Sequence, residues 1–438
     1  MNPSATSSWL LPPLGLSLAL SLVPASAGAA EPYPAAAGVQ HDTGAEGVPL
    51  VSITLAQALA QAARRAPELT PAFADQAGAG ELERASRGVL QRPAELSLSA
   101  GPRFGAGTPG IDATLTLLQP VSLGGVGAAR RGVAKARRDA ARAGLGDARG
   151  RAMLATGAAW IEARVAEELL RVRTESVQRA QELDALAAAR LASGAATAGE
   201  RALARSLLGS AHAALLDAEG RKFAAGCELA FQSGSTAEQL EAAGPLDVDG
   251  PSVSEAQALA AVMHHPRLVR LAAEANALAQ SARQVRAEGS PFLSVGPSVT
   301  REGNGNLILL GHVSLPLPLV NPNHFEAAER SRQALVARAE LARERQRLQA
   351  DVRLALHERL HARLLRDALA QDAIAPARLA VAEATLRYRE GKTQLGEVLT
   401  ARRALSEAEE RRIEAAGAAR LAQLRLWSAM GQLPREAE

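Results

Sequence analysis

The chain resembles itself at an offset of about 195 to 200 residues, and this internal copy limits its architecture more than any other feature. Ala56-Gln57-Ala58-Leu59 returns as Ala256-Gln257-Ala258-Leu259, Pro67 as Pro266, and Gly101-Pro102 as Gly296-Pro297. Gly194, Gly199 and Glu200 return as Gly391, Gly396 and Glu397. One such match means little in an Ala-rich chain. Four in the same order, at a nearly constant offset, mean two copies of one unit. The period is far longer than that of solenoid repeats, so the chain reads as two similar halves and not as an array.

Both halves, 53–232 and 254–432, follow one pattern, with a Ser-, Gly-, Pro- and Asp-rich linker at 233–253 and a short tail at 433–438. Helical periodicity covers 54–66 and about 68–91, then 254–264 and 266–289. Period-two alternation follows: Leu96, Leu98 and Ala100 against Ser97 and Ser99, then Ile111, Ala113, Leu115 and Leu117 against Asp112, Thr114 and Thr116. The second half repeats it with Leu293, Val295 and Val299 against Ser294 and Ser298, then Leu307, Leu309, Val313 and Leu315 against His312 and Ser314. These predict strands near 95–104, 111–119, 292–300 and 306–315, with Gly105 to Gly110 and Gly303-Asn304-Gly305 as turns. Beyond the Pro- and Gly-containing stretches Pro120 to Gly127 and Pro316 to Pro322, helix formers run almost unbroken over 126–192 and 324–390. Each such helix would extend roughly 100 Å. Gly157 and Pro376 are the positions expected to bend or break them. Leu341, Leu348, Val352, Leu356, Leu360 and Leu364 mark one apolar stripe. Gly-containing turns at 194–199 and 391–396 then lead into return helices, 200–232 and 397–432.

The composition fits long packed helices: 47% of residues are hydrophobic and only 3% aromatic, so Ala, Leu and Val fill the core. Forty-nine basic residues against 46 acidic ones leave a net charge of +3, too small and too evenly spread to argue for nucleic acid. A single cysteine, Cys227, excludes an intramolecular disulfide framework and any multi-Cys metal site, and reads as a small apolar residue. Leu10 to Val23 is an apolar run followed by small residues to Ala30, which predicts a cleaved export signal over 1–30 and a flexible tail over 31–52, although no Lys or Arg precedes the run. No stretch beyond residue 30 is apolar for the ~18 residues a membrane helix requires. If the mature chain enters a membrane, it does so as strands.

Strands of nine to ten residues with one apolar and one polar face have the length of membrane-barrel strands. They equally suit a small sheet packed on soluble helices. In lipid a sheet leaves no edge unpaired, and closed barrels take about eight strands or more. A chain with four strands would share its barrel, and three copies would give twelve. Phe104 and Phe292 are the only candidates for an aromatic girdle.

The order of elements, duplicated, resembles the TolC-like outer-membrane efflux proteins. Leu55-Ala56-Gln57-Ala58-Leu59 through Pro67-Glu68-Leu69 is similar to that family's opening helix, and Gln119-Pro120-Val121-Ser122-Leu123-Gly124-Gly125 to its strand-to-helix junction. Most specific is Tyr388-Arg389-Glu390-Gly391, continuing through Leu395-Gly396-Glu397-Val398-Leu399 to Ala401 and Arg402, which resembles the family's Tyr-x-x-Gly…Val-Leu-x-Ala turn. The resemblance spans about 53–432. It implies a mainly α fold of duplicated long helical hairpins forming an α-barrel tunnel, with four strands per chain completing a trimeric twelve-stranded β-barrel. It further implies a homotrimer in outer-membrane lipid, reaching into the periplasm and meeting a periplasmic adaptor and an inner-membrane pump. The tip residues Gly194, Glu200, Tyr388, Gly391 and Glu397 would form the tunnel's inner mouth, with Glu397 where the family often places a gating acid and Glu200 as its counterpart. Thr400 stands where some members carry a second acid. Both acids also begin return helices, where a carboxylate is favourable in its own right.

No enzyme, cofactor or metal emerges from the sequence. His357-Glu358-Arg359-Leu360-His361 matches the zinc-protease pattern His-Glu-x-x-His, yet its counterpart Glu162 lacks both histidines and only distant groups such as Glu383 could complete a ligand set. His264-His265 reads as a solvated helix end, and Gly124-Gly125-Val126-Gly127 lacks the spacing of a nucleotide loop. A soluble periplasmic scaffold or adaptor remains an alternative, as does a type I protein-secretion conduit. Cargo is not legible: the His41-Asp42 pair carries almost no weight for metal.

Overall fold

A computed structural model describes residues 51–88, 92–104, 110–247, 250–316 and 323–432. The signal segment 1–30, the tail as far as residue 50, most of the first hairpin turn, 317–322 and the C-terminal 433–438 lie outside the described residues. A short strand β1 (Val51–Thr54) leads into α1 (Leu55–Arg65), a single 3-10 turn and α2 (Thr70–Ala85). Two strands, β2 (Glu95–Arg103) and β3 (Gly110–Ser122), precede the long helix α3 (Val126–Ala192) and its return α4 (Ala198–Ser233). After β4 (Leu240–Ala243) the pattern repeats as α5 (Glu255–Val262), α6 (Pro266–Glu288), β5 (Phe292–Arg301), β6 (Leu307–Ser314), α7 (His324–Ala368), a π-helical segment (Leu369–Ile374), α8 (Ala375–Arg389) and α9 (Leu395–Ala429).

The duplication extends to the caps. Thr54 and Ser254 each close a capping box, with Gln57 and Gln257 at the third helical position. Left-handed glycines end the helices in pairs 197 residues apart: Gly194 with Gly391, and Gly234 with Gly431. In each the glycine N–H bonds back three residues and the next N–H bonds back five, as in Gly234 to Phe231 (3.0 Å) and Ser235 to Ala230 (2.9 Å).

The long helices differ from expectation in two ways and meet it in one. Gly157 does not interrupt α3: its bare Cα lets the Leu424 side chain of α9 approach, within 2.5 Å of where a Cβ would stand. In the second half the helix does change, through the π segment just before Pro376. Buried positions explain why. Ala148, Ala152, Thr156, Ala159 and Ala166 correspond to Glu344, Leu348, Val352, Ala355 and Ala362 at an offset of 196, but Val177 corresponds to Ile374 at 197. The second half holds one extra residue, and a widened turn takes it up. Finally, the leucine stripe of α7 does not stay buried. Leu348 and Val352 are interior, whereas Leu360 and Leu364 are exposed and Ala355, Arg359, Ala362 and Arg366 replace them. A four-residue spacing overshoots the 3.6-residue turn by about 40° per step, so a straight row of leucines winds off the buried face.

The linker between the halves contains structure that the sequence did not announce. β4 pairs in parallel with β1, Val51 to Leu240 through Thr54 to Ala243, so residues 51 and 52 belong to a sheet and not to a tail. Trp160 of α3 closes this region from beneath, its indole N–H donating to the Ile53 carbonyl at 2.9 Å. Ile53, Leu59, Trp160, Leu229, Leu240, Ile413 and Leu424 form the largest apolar core there. A second difference concerns His265. It is half-buried and caps α6: Nδ1 accepts the Arg267 N–H (3.1 Å) while Nε2 lies 3.0 Å from the Ser428 carbonyl of α9 and donates to it. His264 is the exposed one.

Two predictions follow from these contacts. At Gly234 an added Cβ would stand 2.2 Å from the Arg65 carbonyl oxygen, whereas at Gly194 it would meet nothing within 4 Å. Gly234→Ala should cost about 2–4 kcal/mol of stability, from left-handed strain plus overpacking, and Gly194→Ala only about 1, in denaturant titrations of the solubilised protein. Burial holds the His265 pKa below its ordinary value, with the Ser428 carbonyl and the charges of Asp147 and Glu344 opposing and Arg267 assisting. A depressed folded value gives stability that is complete above the ordinary histidine pKa and lost as pH falls through the folded one. Between pH 7 and pH 5 the unfolding midpoint should therefore fall, and His265→Asn, which keeps an N-cap acceptor but cannot titrate, should fall less.

Candidate functional site

β2, β3, β5 and β6 form one antiparallel sheet in that order, so the two hairpins join through β3 and β5. Register places Leu96 opposite Leu117, Leu98 opposite Leu115, Leu115 opposite Val299, and Val299 opposite Leu309. All these side chains share one face. On the other face Thr114 and Thr300 hydroxyls meet at 3.0 Å, and the Thr116 hydroxyl donates to Ser298 at 3.1 Å. A water-soluble sheet shelters its apolar face, and here the order is reversed. Leu98 and Leu309 are each 72% exposed, while Ser294 and Ser298 are 4% and 5% exposed. Among the described residues the outer strands β2 and β6 have no further partner, so their backbone groups face outward unpaired.

The opposite extreme of the fold is the pair of helical turns. The α3–α4 and α8–α9 turns lie against each other on a small core of Leu183, Ala187, Ala204, Tyr388, Leu395 and Val398. Tyr388 is fully buried. Arg190, the last cation of α3, lies over its ring at 4.6 Å, donates through Nη1 to the Tyr388 carbonyl, and through Nη2 to the Ala195 carbonyl at 2.9 Å. One guanidinium thus satisfies C-terminal carbonyls of both turns, where a cation also faces two helix C-terminal dipoles. Burial, together with the nearby charge of Glu200, holds the Tyr388 phenol above its ordinary pKa. The five tip residues of the sequence reading therefore lie in one region, and Arg190, which that reading missed, joins them. No sequence signal marks it: among the described residues its counterpart Arg387 pairs with Glu383 of the same helix.

The two acids differ. Glu200 is occupied: its carboxylate accepts the Thr197 N–H at 2.9 Å and the Thr197 hydroxyl accepts the Glu200 N–H, a complete capping box. Glu397 occupies the same third position of α9, but its N-cap is Gln394, which makes no side-chain cap, and the Glu397 side chain is exposed. Thr400 donates to the Gly396 carbonyl (2.9 Å).

Among the described residues no helix is long and apolar enough to cross a membrane and no three metal-ligating groups cluster. His357 and His361 are exposed on one face of α7 with ring centroids 6.4 Å apart, and Glu358 pairs instead with Arg425 (3.6 Å).

No family model and no curated protein matches the chain. Solved structures do. The outer membrane protein VceC of Vibrio cholerae shares 19% identity at a TM-score of 0.70, covering 86% of this chain and 96% of its own. CusC gives 15%, 0.71, 87% and 93%, and the MtrE outer membrane channel of Neisseria gonorrhoeae gives 20%, 0.69, 88% and 90%. The chain has the TolC-like outer-membrane channel fold. Identity this low carries the fold alone. Within the TolC-like fold, the four-stranded sheet and the paired helical turns are the two ends of one elongated path of helices. Arg190→Ala should loosen the helical-turn end only. Amide exchange across 387–395 is expected to speed up by about tenfold or more, for a charged hydrogen bond worth roughly 1.5–3 kcal/mol, with the global unfolding midpoint little changed.

Proposed function

We propose that the protein is the outer-membrane channel of a tripartite efflux or export system, a homotrimer whose strands close into one barrel and whose helices continue it as a tunnel through the periplasm. The observation that carries this reading is the inverted sheet. Leu96, Leu98, Leu115, Leu117 and Leu309 exposed on one face, with Ser294 and Ser298 sheltered on the other, suit a sheet whose outside is apolar, as lipid is. Strands of nine and ten residues, tilted, span about 25 Å, the height of the apolar band of a membrane barrel. Each unpaired backbone group left in lipid would cost several kcal/mol, so the edges β2 and β6 require partners.

The duplication supports one choice of partners. β5 lies beside β3 of the preceding hairpin, and Gly296 permits that approach, since a Cβ there would stand 1.8 Å from the Leu117 carbonyl oxygen. Its copy Gly101, on β2, has nothing within 4 Å. A neighbouring chain's β6, placed beside β2 as β3 is beside β5, uses that glycine and closes the ring. Three chains then supply twelve strands. The tip residues form the inner mouth in this reading, and of the two acids Glu397 is the pore-facing candidate because Glu200 is already committed to its helix. An adaptor and an inner-membrane pump would meet the tunnel there. The long, chemically plain helices argue that such a pump chooses the cargo.

Outer-membrane extraction should yield a carbonate-resistant species that runs as an oligomer until boiled, and reconstitution in planar bilayers should yield cation-preferring conductance. Glu397→Gln should reduce that preference while leaving the oligomer intact. A soluble periplasmic monomer would overturn the barrel.

A further inference from the structure

The two ends of the sheet differ in charge. At the turn end Arg103 is matched by Glu302 (3.3 Å) and by Asp112 (3.9 Å). All four connections between strand and helix lie at the other end, because Leu118 is opposite Glu95, Phe292 opposite Ser122, and Ser314 opposite Ser294. There the cations outnumber their partners. The first thirteen residues of α3, Val126 to Arg138, carry five basic residues and no acid. Arg130 is matched by Glu288 and Arg138 by Glu83, but Arg131 and Lys135 are exposed and form no ion pair among the described residues. Arg283 on the last turns of α6 is likewise exposed and unpaired among the described residues. At the junction itself Arg92 lies over the ring of Phe292 at 4.3 Å, an aromatic and a cation side by side where the apolar face ends.

Distance decides what this cluster can meet. Arg131 and Arg283 each lie five residues from the end of the helix nearest the sheet, about 8 Å along it, and Lys135 about 14 Å. The polar headgroup layer occupies roughly 5–8 Å beyond the hydrocarbon, and long basic side chains reach several Å further back toward it. Balanced charge elsewhere in the chain, which totals only +3, makes the excess local to this level. We infer that Arg131, Lys135 and Arg283 form a cationic collar that binds the headgroups of anionic phospholipids in the leaflet facing the helices, thereby fixing the depth and orientation of the barrel. The inference rests on the membrane-barrel reading above.

Its test uses the full-length oligomer reconstituted in phosphatidylcholine vesicles, with spin-labelled phosphatidylglycerol or spin-labelled phosphatidylcholine as probe. Each basic residue near an anionic headgroup favours it by about fivefold at most at low salt. The wild-type protein should therefore immobilise phosphatidylglycerol several-fold more strongly than phosphatidylcholine, and high salt should erase the difference. R131Q/K135Q/R283Q should lose the preference while immobilising the same amount of phosphatidylcholine. Equal immobilisation of the two lipids by the wild type, or an unchanged preference in the triple variant, would overturn the collar and leave the barrel standing. Immobilisation of neither lipid would overturn the barrel itself. The salt series on unaltered protein keeps the question decidable should the variant fail to assemble.

Discussion

A polypeptide that leaves water must satisfy its own backbone, and the four-stranded sheet can do so only in part. Its strands pair from Glu95 against Leu118 to Ser294 against Ser314, yet among the described residues both edges are open and Leu98, Leu115 and Leu309 face away from the molecule. The helical body satisfies its backbone within its own turns, although Leu216, Phe223, Leu335, Leu360, Leu364 and Leu379 are exposed on it. α3 carries an interior of alanines, valines and Trp160, and buried contacts run along its whole length to α1, α2, α4, α6 and α9. The sheet thus depends on a setting that the chain alone does not provide, while the helices hold the sheet's four roots at one level.

Duplication supplies that common level. Two copies of one motif meet edge to edge at β3 and β5 and again where Arg190 spans both helical turns, while the linker between them pairs its strand β4 with β1. The copies are not interchangeable. The second long helix carries an extra residue as a π turn, the first ends in the arginine that clasps its neighbour, and Glu200 is a cap where Glu397 is free of one.

Much of this was legible from residues alone. Period-two alternation located all four sheet strands to within about three residues, and helix formers bounded α3 at Val126 and Ala192. The glycine turns were legible because a left-handed residue is most cheaply a glycine. The short strand β4 was not: four residues inside a Pro- and Gly-rich stretch carry no period to detect. Nor was the fate of Leu360 and Leu364, because a row of leucines does not reveal how far it winds away from its neighbour.

Local periodicity, capping chemistry and the repeat therefore settled which elements exist and in what order, since each depends on residues close in sequence. Tertiary structure alone decided that the apolar face of the sheet is the outer one, that Arg190 rather than its copy Arg387 joins the turns, and that His265 is an interior cap. Those outcomes turn on which surfaces meet across separations of one to two hundred residues, and hydropathy along the chain has no term for direction in space.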